Sequence, residues 1–445
     1  MPSVVPRVKM YPVRPLSERV AALGKLLTMF EPVPADWCVA GKHSTPSVEC
    51  AECSDYKTLV NSWRKALKWT NGLDHALSVM LACVSSTRLI GDQLWIKVIG
   101  PAACGKSTLC EALSTNDKYV LAKSTFRGFH TGYKDANSQG KDISLTNRLR
   151  NMTFITKDGD TLLQSPNLEQ ILSEGRDLYD CVSRTDYRNA VANDYHGVRM
   201  TWILAGTSSL RRIDSSELGE RFLDVVIMHG IDVEVERSIM WRVVNRADRN
   251  VAMEANGKPE TQHDPDLLVA MGLTGGYVGW LRENVCRVIG GITLSDDAKW
   301  RIVDLGLLVA YMRARPSKLQ EENAEREFGS RLVSQLTRLA KCLAFVLNKT
   351  EVDDEVMGRV QQVALDTARG RTLSIVNVIY HDEGETTVKS LCAMTHMNNS
   401  ECRGLLRFLS QIGAVQKYRS EEGGERWRLT KEMNRLYKLT LLGDA

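Results

Sequence analysis

The stretch GPAACGKST, Gly100 to Thr108, follows the apolar run LWIKVI and precedes a helix-forming segment, LCEAL. A glycine, four residues, a second glycine, then lysine and serine is a spacing that wraps backbone N–H groups around a phosphate. Gly100 and Gly105 let Pro101, Ala102, Ala103 and Cys104 curl between them. The helix start beyond adds its partial positive charge. Lys106 supplies a cation for the outer phosphates of a nucleotide, and Ser107 a hydroxyl for magnesium. Every residue through Thr108 is a candidate contact.

Such chemistry also needs carboxylates. RNMTFITKDGDTLLQSP, Arg150 to Pro166, runs from a strand-like stretch into acids. Lys157 stands where a magnesium-binding aspartate is expected. In one register Lys157 replaces that aspartate and Asp158 replaces the catalytic acid. In the other, Asp158 serves magnesium and Asp160 polarises the attacking water. A lysine aimed at magnesium would repel it, so Asp158 is expected to do the main acidic work while Lys157 turns away. MTWILAGTSSL ends in small polar residues, of which Thr207 or Ser208 can orient a water. RRIDSSELGERFLDVVI places Arg221 before another strand, with Glu217 and Glu220 as alternative ion-pair partners.

Three further groups carry potential chemistry. Cys38, His43, Cys50 and Cys53, the last two in a C-x-x-C spacing, suit one tetrahedral structural zinc. KSTFRGFHTGYKD offers Arg127, Phe129, His130, Tyr133 and Lys134 as charge and stacking surface for a nucleic-acid strand, and SRTDYRNAVANDYHG offers Arg184, Tyr187 and Arg188. Near the C-terminus, Arg403 and Arg407 belong to one helix-like stretch. Lys417, Arg419, Arg426 and Arg428, with Tyr418 and Trp427, line a predicted hairpin around SEEGGE.

The elements that must position these residues follow from the hydrophobic pattern. LWIKVIG, KYVLAKST, MTFIT, MTWILAG and FLDVVIM read as strands separated by helices or loops, which predicts a parallel sheet. Beyond Val233 the pattern is helical. Leu332, Leu336, Leu339, Leu343 and Leu347 share one helix face. TLSIVNVIYH, VKSLCAMTHM and NSECRGLLRFLSQIGAV follow as three helices, the last capped by Asn399 or Ser400, burying Leu405, Leu406, Leu409 and Ile412. Six of twelve prolines fall in the first 34 residues, so the chain is expected to begin with an extended arm.

At 445 residues, 43% hydrophobic and 25% charged, the composition is that of a globular protein. A net charge of +4 argues neither for nor against a nucleic-acid partner, so local patches must carry that case. Neither a bilayer-spanning run nor a signal-peptide core is read, and the eleven scattered cysteines suit reduced thiols in a cytoplasm.

The order of these motifs resembles the AAA+ ATPases over roughly Ser62 to Gly370. The resemblance implies an α/β P-loop core with a parallel five-stranded sheet, a helical lid, a C-terminal winged helix and a small N-terminal zinc-binding-like module. The expected boundaries are 1–60, 61–230, 231–370 and 371–445. It makes Arg221 an arginine finger reaching a neighbour's ATP site, Ser208 a sensor-one residue, and Arg331 (or Arg338 on the same helix) a sensor-two residue. The two aromatic-basic loops would face a central pore. The lid and C-terminal domain look most like minichromosome-maintenance helicases, helicase loaders, and ATPases of phages and mobile elements. The implied function is an oligomeric, hexameric-ring ATPase using ATP and Mg2+, with a structural Zn2+. It would drive DNA opening or translocation in a host cytoplasm, holding single-stranded DNA in its pore and duplex on the winged helix. A helicase loader contacting other replication proteins, and an ATP-switched DNA-binding regulator, are the alternatives.

Overall fold

A computed structural model describes residues 55–131, 142–186, 192–213, 221–227, 233–254, 265–314, 328–368, 370–382, 386–419 and 424–439. The zinc candidates Cys38, His43, Cys50 and Cys53 lie outside them, as do Tyr133, Lys134, Tyr187, Arg188, Glu217 and Glu220.

The fold is α/β, built on a five-stranded parallel sheet. Its strands are β1 (Trp95–Ile99), β2 (Val120–Lys123), β3 (Met152–Thr156), β6 (Met200–Gly206) and β7 (Phe222–Val226), in spatial order β2-β3-β6-β1-β7. Between β3 and β6 the chain makes an antiparallel hairpin of β4 (Val182–Asp186) and β5 (Ala192–His196). The segment expected as a pore-facing loop is thus a hairpin over 182–196. The strand pattern there is weak because the outward-facing positions are polar or charged, Arg184, Asp186 and Asp194 among them.

β1, β6 and β7 are buried along their whole length. That is why they read as continuous apolar runs: a parallel sheet covered on both faces has no solvent side. One face presents Trp95, Phe154, Trp202 and Phe222, with the Trp95 and Trp202 rings 5.3 Å apart and edge-on. The helix Leu168–Tyr179 covers it. The other face presents Ile96, Val98, Ile155, Ile203 and Val225 to helices Asn71–Ser86 and Lys106–Ser114.

Helices Pro265–Val288, Asp296–Arg313, Ser330–Val346 and Asp354–Ala368 add their buried residues to that same apolar cluster. Leu332, Leu336, Leu339 and Leu343 are fully buried in it. Trp63 Nε1 donates to Thr274 Oγ1 (3.1 Å), and Asn116 Nδ2 to the Gly275 carbonyl (2.9 Å). The region assigned to a lid thus shares one core with the sheet.

Three C-terminal helices, Arg371–His381, Val388–Thr395 and Asn399–Gln411, precede an antiparallel pair, β8 (Val415–Arg419) and β9 (Glu425–Leu429). Asn398, not Asn399 or Ser400, caps the third helix: its Oδ1 accepts from Glu401 N–H at 2.8 Å. Leu406 and Leu409 are buried, and Leu405 and Ile412 half-buried. A final helix, Lys431–Lys438, returns to the main body, where Arg435 makes a bidentate pair with Asp304 at 2.8 and 2.9 Å. No helix among the described residues is long and apolar enough to cross a membrane.

Candidate functional site

Because the strands are parallel, the loops after β1, β3 and β6 emerge at one edge of the sheet. β1 sits where the chain reverses its walk: it continues to β2 at the far side, returns through β3 and β6, then crosses to β7. Such a switch point leaves a crevice at the strand C-termini.

The loop after β1 fills that position. Gly100 N–H donates to the Gly206 carbonyl at 3.2 Å, tying it to the end of β6. A Cβ on Gly100 would lie 2.6 Å from Cys104 Sγ, so the curl tolerates only glycine there without rearrangement. Ala103 (φ 61°) and Gly105 (φ 95°) are both left-handed, which bends the chain back to start the helix Lys106–Ser114. No side chain caps that helix N-terminus. Lys106 Nζ folds onto the Gly100 and Pro101 carbonyls at 2.7 and 2.6 Å. Ser107 is exposed.

The acids after β3 part company. Asp158 is exposed and caps the short helix Gly159–Leu163: its carboxylate accepts from Thr161 N–H (3.1 Å) and Thr161 Oγ1 (2.5 Å). Asp158, expected to do the main acidic work, thus stands as a helix cap. Asp160 instead reaches the end of β6, accepting from Thr207 N–H and Thr207 Oγ1 at 2.9 Å each and from Ser209 Oγ. Burial opposes its ionisation, but the hydrogen bonds from Ser209 and Thr207, with Lys106 nearby, hold its carboxyl below the usual range. Ser208 is exposed, and its neighbours Thr207 and Ser209 make these contacts. Lys157 turns toward the helix after the loop, 3.7 Å from Glu111.

Beside the loop lies a cavity of about 250 Å³ walled by Leu67, Leu73, Ile227, Ile239 and Val243, with Lys68, Thr70 and Gly105–Thr108 at its polar end. Sequence reasoning did not find this wall. Its residues come from three segments that only the fold joins.

The arginines lie elsewhere. Arg221 precedes β7, so it sits at the N-terminal edge of the sheet, one strand length from the loop, on the order of 13 Å. Its guanidinium pairs with Asp180 (3.1 Å) and lies over the Tyr179 ring. Arg331 lies over that same ring, and Arg338 donates to the Leu89 and Ile90 carbonyls. All three are thus engaged around Tyr179 and the Leu89–Ile90 turn.

Of the strand-binding candidates, Phe129 is fully buried against Phe126, Phe154 and Trp202, and His130 is buried between Ser183 and Thr146. Neither offers a stacking face. Arg127 is exposed; Arg184 is exposed and 3.3 Å from Asp194. Arg403, Arg407 and Arg428 are exposed, the last over Tyr418, whereas Arg426 is half-buried and Trp427 is buried.

No protein-family model matches this chain, and no curated protein matches it in sequence.

Proposed function

We infer that the chain is a P-loop nucleoside triphosphatase of AAA+ type, acting on DNA as an oligomer. The observation that carries this reading is the convergence at one sheet edge of the uncapped Gly100–Ser107 loop with Asp160, held by Thr207 and Ser209. Gly100 to Thr108 would hold the phosphates, and Ser107 would hold magnesium, which supplies charge neutralisation at the outer phosphates. The apolar cavity is of a size to take the base. Lys106 leaves its two loop carbonyls for the phosphates. Asp160 orients an attacking water together with Thr207 or Ser209. Arg221, at the far edge, serves a neighbouring copy's loop, as a ring of subunits requires. The three helices and the β8–β9 pair serve as a winged helix for duplex DNA, with Arg403, Arg407 and Arg428 on its exposed side.

Fluorescent ATP-analogue binding and phosphate release test this. Lys106→Ala is expected to abolish both; hydrolysis at the parent rate would end the P-loop assignment. A second reading, a nucleotide-switched DNA-binding regulator with slow turnover, draws support from the lysine at position 157 and the capping role of Asp158. Strand displacement by the purified protein separates the two.

A further inference from the structure

The cation at position 157 leaves a question at the loop: which carboxylate faces the metal beside Ser107? Asp158 is bound to Thr161, and Asp160 accepts three hydrogen bonds from the end of β6. A further acid stands on the helix that the loop opens. Glu111 lies four residues beyond Ser107 on the helix Lys106–Ser114, so the two share a face one turn apart. Its side chain is 38% exposed, and its carboxylate lies 3.7 Å from Lys157 Nζ. Cys110, beside it, is buried, and burial pushes its thiol up to about 12, so it supplies no thiolate.

We propose that Glu111 and Lys157 are a charge-exchanged pair: the carboxylate that P-loop sites place at the end of the neighbouring strand is supplied here from the helix, one turn after Ser107. This rests on the nucleotide reading above. The geometry gives the exchange a physical logic. Lys157 N–H still donates to the Lys123 carbonyl, so the strand ends as it would with an aspartate, and only the side-chain charge differs. An uncompensated ammonium there would repel a divalent ion. Glu111 offsets it, and the pair is exposed enough for the carboxylate to turn toward Ser107. Glu111 is thus a metal-positioning residue, and Lys157 sets how tightly it is held away.

The test titrates Mg2+ into the protein with a fluorescent ATP analogue and reads binding, not turnover. Glu111→Gln is expected to weaken the apparent Mg2+ affinity by roughly tenfold, the size of an outer-shell effect. Nucleotide binding in Mg2+-free buffer should be unchanged. The exchanged double variant Lys157→Asp with Glu111→Lys returns the acid to the strand and is expected to recover most of the loss. A surface ion pair with only a structural role would move the melting temperature and leave the Mg2+ titration alone. Parent-like Mg2+ affinity in Glu111→Gln overturns the proposal. If that variant does not fold, Glu111→Ala is titrated in its place with the same two outcomes: a roughly tenfold weaker Mg2+ affinity supports the proposal, and parent-like affinity overturns it. A parent protein that binds no nucleotide under any condition instead removes the P-loop reading itself.

Discussion

Asp158 marks the point where the backbone leaves an extended strand and enters a helix, and its side chain follows from that. A residue at such a switch has an unpaired N–H three positions on, and a short carboxylate satisfies it. Thr161 provides that N–H and a hydroxyl as well. The pattern Asp-x-x-Thr before an apolar pair was present in the sequence, so the cap was legible. It lost to the expectation of an acid at the strand end. Asp160 joins the end of β6 for a reason no local pattern carries: its partners stand 47 and 49 residues away. Asp158→Ala is therefore expected to cost about 1 kcal/mol of stability while leaving ATP turnover near the parent level. Asp160→Ala should leave three donors seeking partners and lower turnover by roughly 100-fold or more, a typical general-base contribution. Calorimetry and phosphate release on both variants check this; the opposite ranking would return Asp158 to the acidic role.

At the scale of elements, β7 is an edge strand, and an open edge is a row of unpaired donors. Here the helix Asp354–Ala368 closes it with side chains. Asp224 N–H donates to Thr367 Oγ1 (2.9 Å) and Val226 N–H to Asp366 Oδ2 (2.7 Å). Burial pushes the Asp366 carboxyl up to about 7; the Val226 and Gln362 hydrogen bonds and Arg211 pull the other way, and Asp224 adds to the rise. Since the folded value lies above the unfolded one, folding takes up a proton. The associated stability is full below about pH 4 and is lost as pH rises through 7. Asp366→Asn keeps an acceptor for Val226 and cannot ionise. Its melting temperature is expected to match the parent near pH 4 and to exceed it increasingly up to pH 8.5. Equal curves across that range would place the carboxylate in a solvated setting. Thr367→Val leaves the Asp224 N–H buried without this acceptor and should cost about 1–3 kcal/mol at any pH. The five parallel strands and the leucine-faced helix were legible because their residues are buried on whole faces. The edge closure was not, because a threonine and an aspartate at a helix end look like ordinary polar positions.

Across the whole molecule, the helices from 265 to 368 share one apolar cluster with the sheet, and the C-terminal helices extend it through Ile375, Leu391, Leu406 and Leu436. Cutting at 230 would strip the apolar outer sides of helices Asn71–Ser86 and Lys106–Ser114 and open the β7 edge, so a 61–230 fragment is expected to aggregate, whereas a chain ending at 368 keeps both covered. That difference makes the C-terminal region testable by itself. Among its exposed cations, Arg403 and Arg407 lie on the helix Asn399–Gln411 and Arg428 on β9, with only β8 between the two elements in the chain. If they meet phosphates of a duplex, each contact releases counterions, and the slope of log affinity against log salt changes by roughly 0.9 per contact. Replacing all three by glutamine should flatten that slope by up to about 3 while leaving nucleotide binding intact, since the loop at Gly100–Ser107 belongs to another part of the fold. Arg426 is less informative, being half-buried beside the core. Binding measured on duplex and single-stranded DNA across a salt series reads the effect directly. A flattened slope on duplex alone assigns this surface to duplex and leaves Arg127 and its loop to the single strand. An unchanged slope on both would mean that the three-helix and hairpin region docks a protein instead, which is the arrangement a helicase loader needs.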